Sequence, residues 1–142
     1  MSDQGAIRIL IIDDDIEFAD LLRLQLTAAG YATEVAEDAV EGGKALLARP
    51  PALVLCDIGM PYLSGLDLIA LMRSDPRSAS IPVVFVSGRT DAETMAKAVK
   101  LGAADFLAKP ITREQLLESV KACLQAGGRR PAVPDYRFPP VV

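Results

Sequence analysis

The 142-residue chain contains no histidine and no tryptophan. The first absence removes whole reaction classes. Ser-His and Cys-His catalysis need an imidazole base, and many metal centres need an imidazole nitrogen. A phosphohistidine carried by the chain itself is excluded on the same ground. Cysteine is scarce: Cys56 and Cys123 lie in apolar stretches without metal-ligand spacing. They read as reduced core thiols, with a single disulfide as the alternative. Positive charge is not in excess either. A net charge of −4 leaves no basic footprint, so neither nucleic acid nor anionic lipid is expected as a partner of this domain. No apolar run approaches the roughly 20 residues that span a bilayer. The opening MSDQGAIR lacks the charged-then-apolar layout of a secretory signal. The expectation is a cytoplasmic protein without membrane contact.

What is present is aliphatic. Half of the residues, 51%, are hydrophobic and only 5% are aromatic, at a length that suits one domain with a real core. Apolar runs alternate with amphipathic stretches. Residues 8–12, 52–57 and 81–88 read as buried strands, and 31–36 and 104–109 as shorter ones. Helices are predicted over about 15–29, 38–48, 65–74 and 91–101, with a last one beginning at an N-cap, Thr112. The predicted inward positions are Phe18, Leu21, Leu22 and Leu26, then Leu68, Ile69 and Met72, then Met95, Ala98 and Val99, and finally Leu116, Leu117, Val120 and Leu124. Gly30 and Gly102 close their helices, and Gly42 with Gly43 weaken the second. Five β-α units with strands apolar throughout predict an α/β fold: a doubly wound five-stranded parallel sheet with helices on both faces. The predicted domain covers 1–126. The following GGRRPAVPDYRFPPVV, 127–142, is Pro-rich without helical period and reads as a tail or linker. An excised N-terminal domain is the expectation, a stand-alone protein the alternative.

In doubly wound sheets ligands bind beyond the carboxyl ends of the strands. The first strand ends at Asp13-Asp14-Asp15, the third at Asp57, the fourth at Ser87-Gly88 and the fifth at Lys109-Pro110. Carboxylates gathered on one rim repel, so either their pKa values rise or a cation sits among them. Oxygen donors without imidazole or thiolate suit a hard ion such as Mg²⁺. Lys109 adds positive charge but cannot neutralise the group alone. Asp15 reads as the acid that opens the following helix. Met60, Pro61 and Gly65 read as shaping the loop and helix start after Asp57 rather than contacting the metal. A carboxylate is a competent nucleophile toward phosphorus, and phosphoryl transfer needs positioning and charge neutralisation more than proton shuttling. The set is complete for accepting a phosphoryl group supplied from outside.

The segments ILIIDDD, LVLCDIGMPYLSGLDL, IPVVFVSG and GAADFLAKPI carry a family likeness. Over about residues 7–126 the chain resembles the receiver domain of two-component response regulators. The resemblance implies a flavodoxin-like strand order, 2-1-3-4-5. It implies Asp57 as phosphoacceptor, and Asp13 and Asp14 as an acid pair, with Asp14 touching Mg²⁺ directly and Asp13 through water. The main-chain carbonyl of Gly59 would be a further ligand, and Mn²⁺ could substitute. Ser87 takes the place of the switch hydroxyl, Phe106 that of the switch aromatic, and Lys109 that of the phosphoryl-binding lysine. The Lys109–Pro110 bond is expected to be cis, an isomer that non-prolyl bonds almost never adopt. The resemblance further implies a sensor histidine kinase or histidine phosphotransfer protein as donor, with no catalysis beyond the domain's own phosphorylation and dephosphorylation. The response is expected at the face of the fourth helix, fifth strand and fifth helix, with a homodimer on activation and an unspecified downstream protein target.

Three rivals share parts of this pattern. A phosphatase of the haloacid dehalogenase type would need Thr where Glu17 stands, and more length. An FMN carrier would place hydroxyls and amides, not three carboxylates, after the first strand. A receiver-like docking module that is never phosphorylated differs only in chemistry, and uptake of a phosphoryl analogue separates it from a phosphoacceptor.

Overall fold

A computed structural model of the chain describes residues 5–60 and 63–125. Pro61, with its expected part in the loop after Asp57, and the expected tail at 127–142 lie outside the described residues. The strands are β1 (Arg8–Ile12), β2 (Ala32–Ala36), β3 (Leu53–Cys56), β4 (Val83–Ser87) and β5 (Asp105–Ala108). The helices are α1 (Ile16–Ala28), α2 (Ala39–Ala48), α3 (Gly65–Ser74), α4 (Ala92–Lys100) and α5 (Arg113–Gln125). All strand pairs are parallel, in the order β2-β1-β3-β4-β5. This is the doubly wound sheet expected.

Alternation along each strand splits the core in two. Leu10, Ile12, Val54, Cys56, Phe85 and Phe106 face α2, α3 and α4. Ile9, Ile11, Leu55, Val84, Val86 and Leu107 face α1 and α5. Cys56 and Cys123 fall in different halves of the core and are free thiols, so the disulfide alternative falls away.

The helices begin where side-chain oxygens can satisfy their first N–H groups. Asp15, Asp38, Ser64 and Asp91 each accept from the amide three residues on. Thr112 and Gln115 cap each other, at 3.0 and 2.8 Å. Gly30 and Gly102 follow α1 and α4 at φ +100° and +85°, where a side chain would be strained.

Three expectations need correction. Leu21 is 48% exposed, because the buried stripe of α1 runs through Ala19, Leu22 and Leu26 and, at about 3.6 residues per turn, Leu21 faces well away from it. Val99 is only partly buried. Gly42 is not simply a weak point in α2. A Cβ there would lie 2.6 Å from Ile12 Cδ1, so its absence lets the helix close on the sheet.

Candidate functional site

Backbone bonds bring the strand ends to one rim. The amide of Asp57 donates to the Ile12 carbonyl (2.9 Å), that of Asp13 to Ala36 (3.1 Å) and that of Lys109 to Ser87 (2.9 Å). These join residues immediately beyond β1, β3 and β5 to their neighbours. As a result Asp13, Asp14 and Asp57 each offer a carboxylate oxygen within 4.8 Å of the others.

Asp13 is only 2% exposed and Asp57 8%, whereas Asp14 is open to solvent. Asp13 Oδ1 accepts from the Asp15 amide at 2.9 Å. Its Oδ2 accepts from Lys109 Nζ at 3.0 Å, across 96 residues of chain. Lys109 Nζ also lies 3.7 Å from Asp57 Oδ2. Burial holds the Asp13 carboxyl above the usual carboxylate range, with the Asp57 charge adding to it; the Asp15 amide and Lys109 oppose this. Repulsion is therefore only partly answered by the one lysine, and the all-oxygen donor set fits a hard divalent cation.

Asp13→Asn follows as a test in metal-free buffer. The raised carboxyl means that the folded state holds its proton more readily than the unfolded chain, so stability is lost as pH rises through the folded pKa. Asparagine mimics the neutral form. The variant is expected to melt above wild type at neutral pH, with the gap closing as pH falls below the ordinary aspartate range. Lys109 loses a partner, but its side chain is 21% exposed and keeps Asp57, so the relief of burial dominates. Mn²⁺ affinity is expected to fall about tenfold or more. Thermal melts across pH and a Mn²⁺ titration check both halves.

Asp57 is also held from below. A Cβ on Gly65, the first residue of α3, would overlap the Asp57 carbonyl oxygen. Gly65→Ala is expected to cost about 1–3 kcal/mol, more than the ~1 kcal/mol helix propensity returns, because the obstacle is backbone. Gly43→Ala meets nothing within 4 Å and is expected to stabilise by about 0.5–1 kcal/mol. Urea unfolding of the two variants checks the contrast.

Ser87 is buried at the end of β4, and its Oγ accepts from the Arg89 amide at 3.1 Å. Gly59 is exposed, and its amide donates to Asp57 Oδ1 at 3.4 Å. The Lys109–Pro110 peptide bond is cis. Phe106 is fully buried on the α4 side of the sheet, with its ring centroid 6.3 Å from that of Phe85. The acids and Lys109 thus meet directly, whereas Phe106 lies inside the core. Cys56 donates its thiol hydrogen to the Asp57 carbonyl at 3.2 Å. Burial, with the charges of Asp57 and Asp13, pushes this thiol far up, so it is no nucleophile.

One contact was not anticipated from sequence: Lys109 Nζ sits 4.4 Å above the ring centroid of Phe18. The apolar spacing of α1 marks Phe18 as inward but carries no sign of its partner.

Residues 9–121 match the family model described as the response regulator receiver domain. The DNA-binding dual master transcriptional regulator RpaA of Synechocystis is 34% identical over 124 residues, covering 87% of this chain and 52% of the relative. The DNA-binding response regulator MtrA of Mycobacterium tuberculosis is 31% identical over 125 residues, 88% and 54%. The chain spans about half the length of these curated relatives. Among solved structures, the receiver domain of NtrX from Brucella abortus is 33% identical with a TM-score of 0.77, covering 82% of this chain and 98% of that one. A CheY-like receiver domain protein from Methanospirillum hungatei is 29% identical with a TM-score of 0.81, covering 85% and 95%.

Proposed function

The chain belongs to the response regulator receiver domain family, and from that membership we propose a phosphorylation-activated signalling switch in which Asp57 is the phosphoacceptor. The observation that carries the reading is the meeting of Asp13, Asp14 and Asp57 beside Lys109 Nζ. A nearby carboxylate nucleophile, a hard-cation donor set and a fixed ammonium are what acceptance of a phosphoryl group requires.

An Asp57 carboxylate oxygen attacks phosphorus of a donor phosphohistidine. The new O–P bond forms as the P–N bond breaks, and the imidazole leaves with the electron pair. The donor is a sensor histidine kinase or a histidine phosphotransfer protein. Asp13, Asp14, Asp57 and the Gly59 carbonyl would hold Mg²⁺, or Mn²⁺ in its place. Bound there, the ion neutralises charge on the phosphoryl oxygens. Lys109 takes a phosphoryl oxygen. Ser87 Oγ accepts from Arg89, so its own O–H can donate to another.

The acyl phosphate adds up to about −2 charge and three strong acceptors. Ser87 is drawn toward it, and the space it leaves can admit Phe106. Phe106 already occupies the interior, so the modification would favour this inward packing over an outward one and bias the α4-β5-α5 face. A ~100-fold population shift needs about 2.7 kcal/mol, within reach of one or two charge-assisted hydrogen bonds. The chain turns over no separate substrate in this reading; it acts in the cytoplasm, and its activated face binds a downstream protein or a second copy of itself. Residues 127–142 serve as tail or linker.

Intact mass after incubation with acetyl phosphate and Mg²⁺ tests the proposal. One added phosphoryl group, lost with chelator present, is the expected result. No uptake from acetyl phosphate, with no beryllofluoride binding in Mg²⁺, would leave the docking-module reading instead.

A further inference from the structure

We infer that Phe18 is a positioning residue for the phosphoryl-binding lysine, its ring face holding the Lys109 ammonium between Asp13 and Asp57. The inference rests on the phosphoacceptor reading above and adds a residue to it.

The geometry starts at the α1 cap. Asp15 Oδ1 accepts the Phe18 amide at 3.1 Å, which sets Phe18 in the first turn of a helix that begins straight after the acid cluster. Its ring is partly buried and packs on the α1-α5 half of the core. Lys109 arrives from the far edge of the sheet, and its long stem has several rotatable bonds to fix. Three groups fix it. Asp13 Oδ2 at 3.0 Å and Asp57 Oδ2 at 3.7 Å lie on the acid side, and the Phe18 centroid lies at 4.4 Å. The negative face of the aromatic quadrupole attracts the ammonium without carrying a net charge. A fourth carboxylate in that place would hold the lysine equally well but would repel an incoming phosphoryl group. An aliphatic side chain would fill the volume and leave the ammonium unheld on that side. An aromatic ring does neither, so the lysine is pre-positioned while the site stays receptive to anions.

The experiment uses the full chain. Nuclear magnetic resonance of the lysine ε-CH₂ groups, with Lys109 identified by its absence in Lys109→Met, reads the contact directly in wild type. Ring-current shielding is expected to place the Lys109 signal upfield of the other lysines. Phe18→Leu and Phe18→Met keep apolar volume and lose the ring; each is expected to return Lys109 to the ordinary position and slow phosphorylation by acetyl phosphate about tenfold. Phe18→Tyr is expected to restore both. An unshifted Lys109 in wild type overturns the inference. So does a ringless variant that folds and is phosphorylated at the wild-type rate. Absence of uptake in wild type is a different result: it overturns the phosphoacceptor reading itself, whatever the lysine spectrum shows.

Discussion

Asp57→Asn takes up no phosphoryl group from acetyl phosphate under conditions that modify wild type. The substitution keeps shape and removes only charge and nucleophilicity. The Asp57 amide still donates to Ile12, and the amide oxygen can still accept from Gly59. The neighbouring acids do not take over. Both oxygens of Asp13 are engaged, by the Asp15 amide and by Lys109, and Asp14 faces solvent. The expected loss of rate is about a thousandfold or more. Stability should not fall with it. The Asp57 charge is one of the causes that raise the Asp13 carboxyl, so neutralising it relieves repulsion, and the urea midpoint is expected to equal or exceed that of wild type. Intact mass and urea melts on one preparation separate lost chemistry from lost fold. Uptake persisting in the asparagine variant would move the acceptor to another side chain.

The rim of acids was legible in the sequence because strands announce their own ends. An apolar run that stops at Asp13, Asp57 or Lys109 states both that a strand is buried and which residue stands at its tip. The parallel architecture then places those tips side by side without any knowledge of contacts. Strand limits were less legible. The apolar stretch read as 81–88 overshoots β4, Val83–Ser87, by Ile81 and Pro82 at its start and Gly88 at its end. Pro82 has no N–H to contribute, although its carbonyl accepts from Val54 at 3.0 Å.

Contacts that depend on what a side chain meets, rather than on where it lies, left no trace. Gly42 reads as a soft point in a helix and Gly65 as shaping a loop and helix start, but neither reading carries the closer reason: another group occupies the space of each Cβ. Nothing in the sequence pattern singles out Arg73. In the structure its guanidinium donates to the carbonyls of Ala79, Ile81 and Gly102, tying the end of α3 to the starts of β4 and β5, and burial lowers its pKa. Phe18 reads as core and meets a cation. Periodicity reports burial; it does not name the partner.

Lys109→Met is expected to move two properties in opposite directions, and that opposition identifies the lysine as part of the site chemistry. Methionine keeps an unbranched stem that can still lie on the Phe18 ring, so packing changes little and the lost ammonium dominates. In chelator, Asp13 is left buried without its counter-charge. Removing one partner of a fully buried pair costs about 3–5 kcal/mol. The lysine side chain is 21% exposed, so water already shares its charge, and a loss of about 1–3 kcal/mol is expected. Mg²⁺ should bind more tightly than in wild type, because no ammonium competes for the oxygens of Asp13 and Asp57. Millimolar Mg²⁺ should therefore recover part of the lost stability by mass action. Phosphorylation by acetyl phosphate should nonetheless fall about 10²–10³-fold, since the charge that meets the phosphoryl oxygens is gone. A lysine that served only to hold the fold would give weaker ion binding and slower chemistry together. Tighter Mg²⁺ binding with slower phosphoryl uptake is the combination that only a cation sharing the acid cluster with the ion produces, and a Mg²⁺ titration beside the phosphorylation time course measures it.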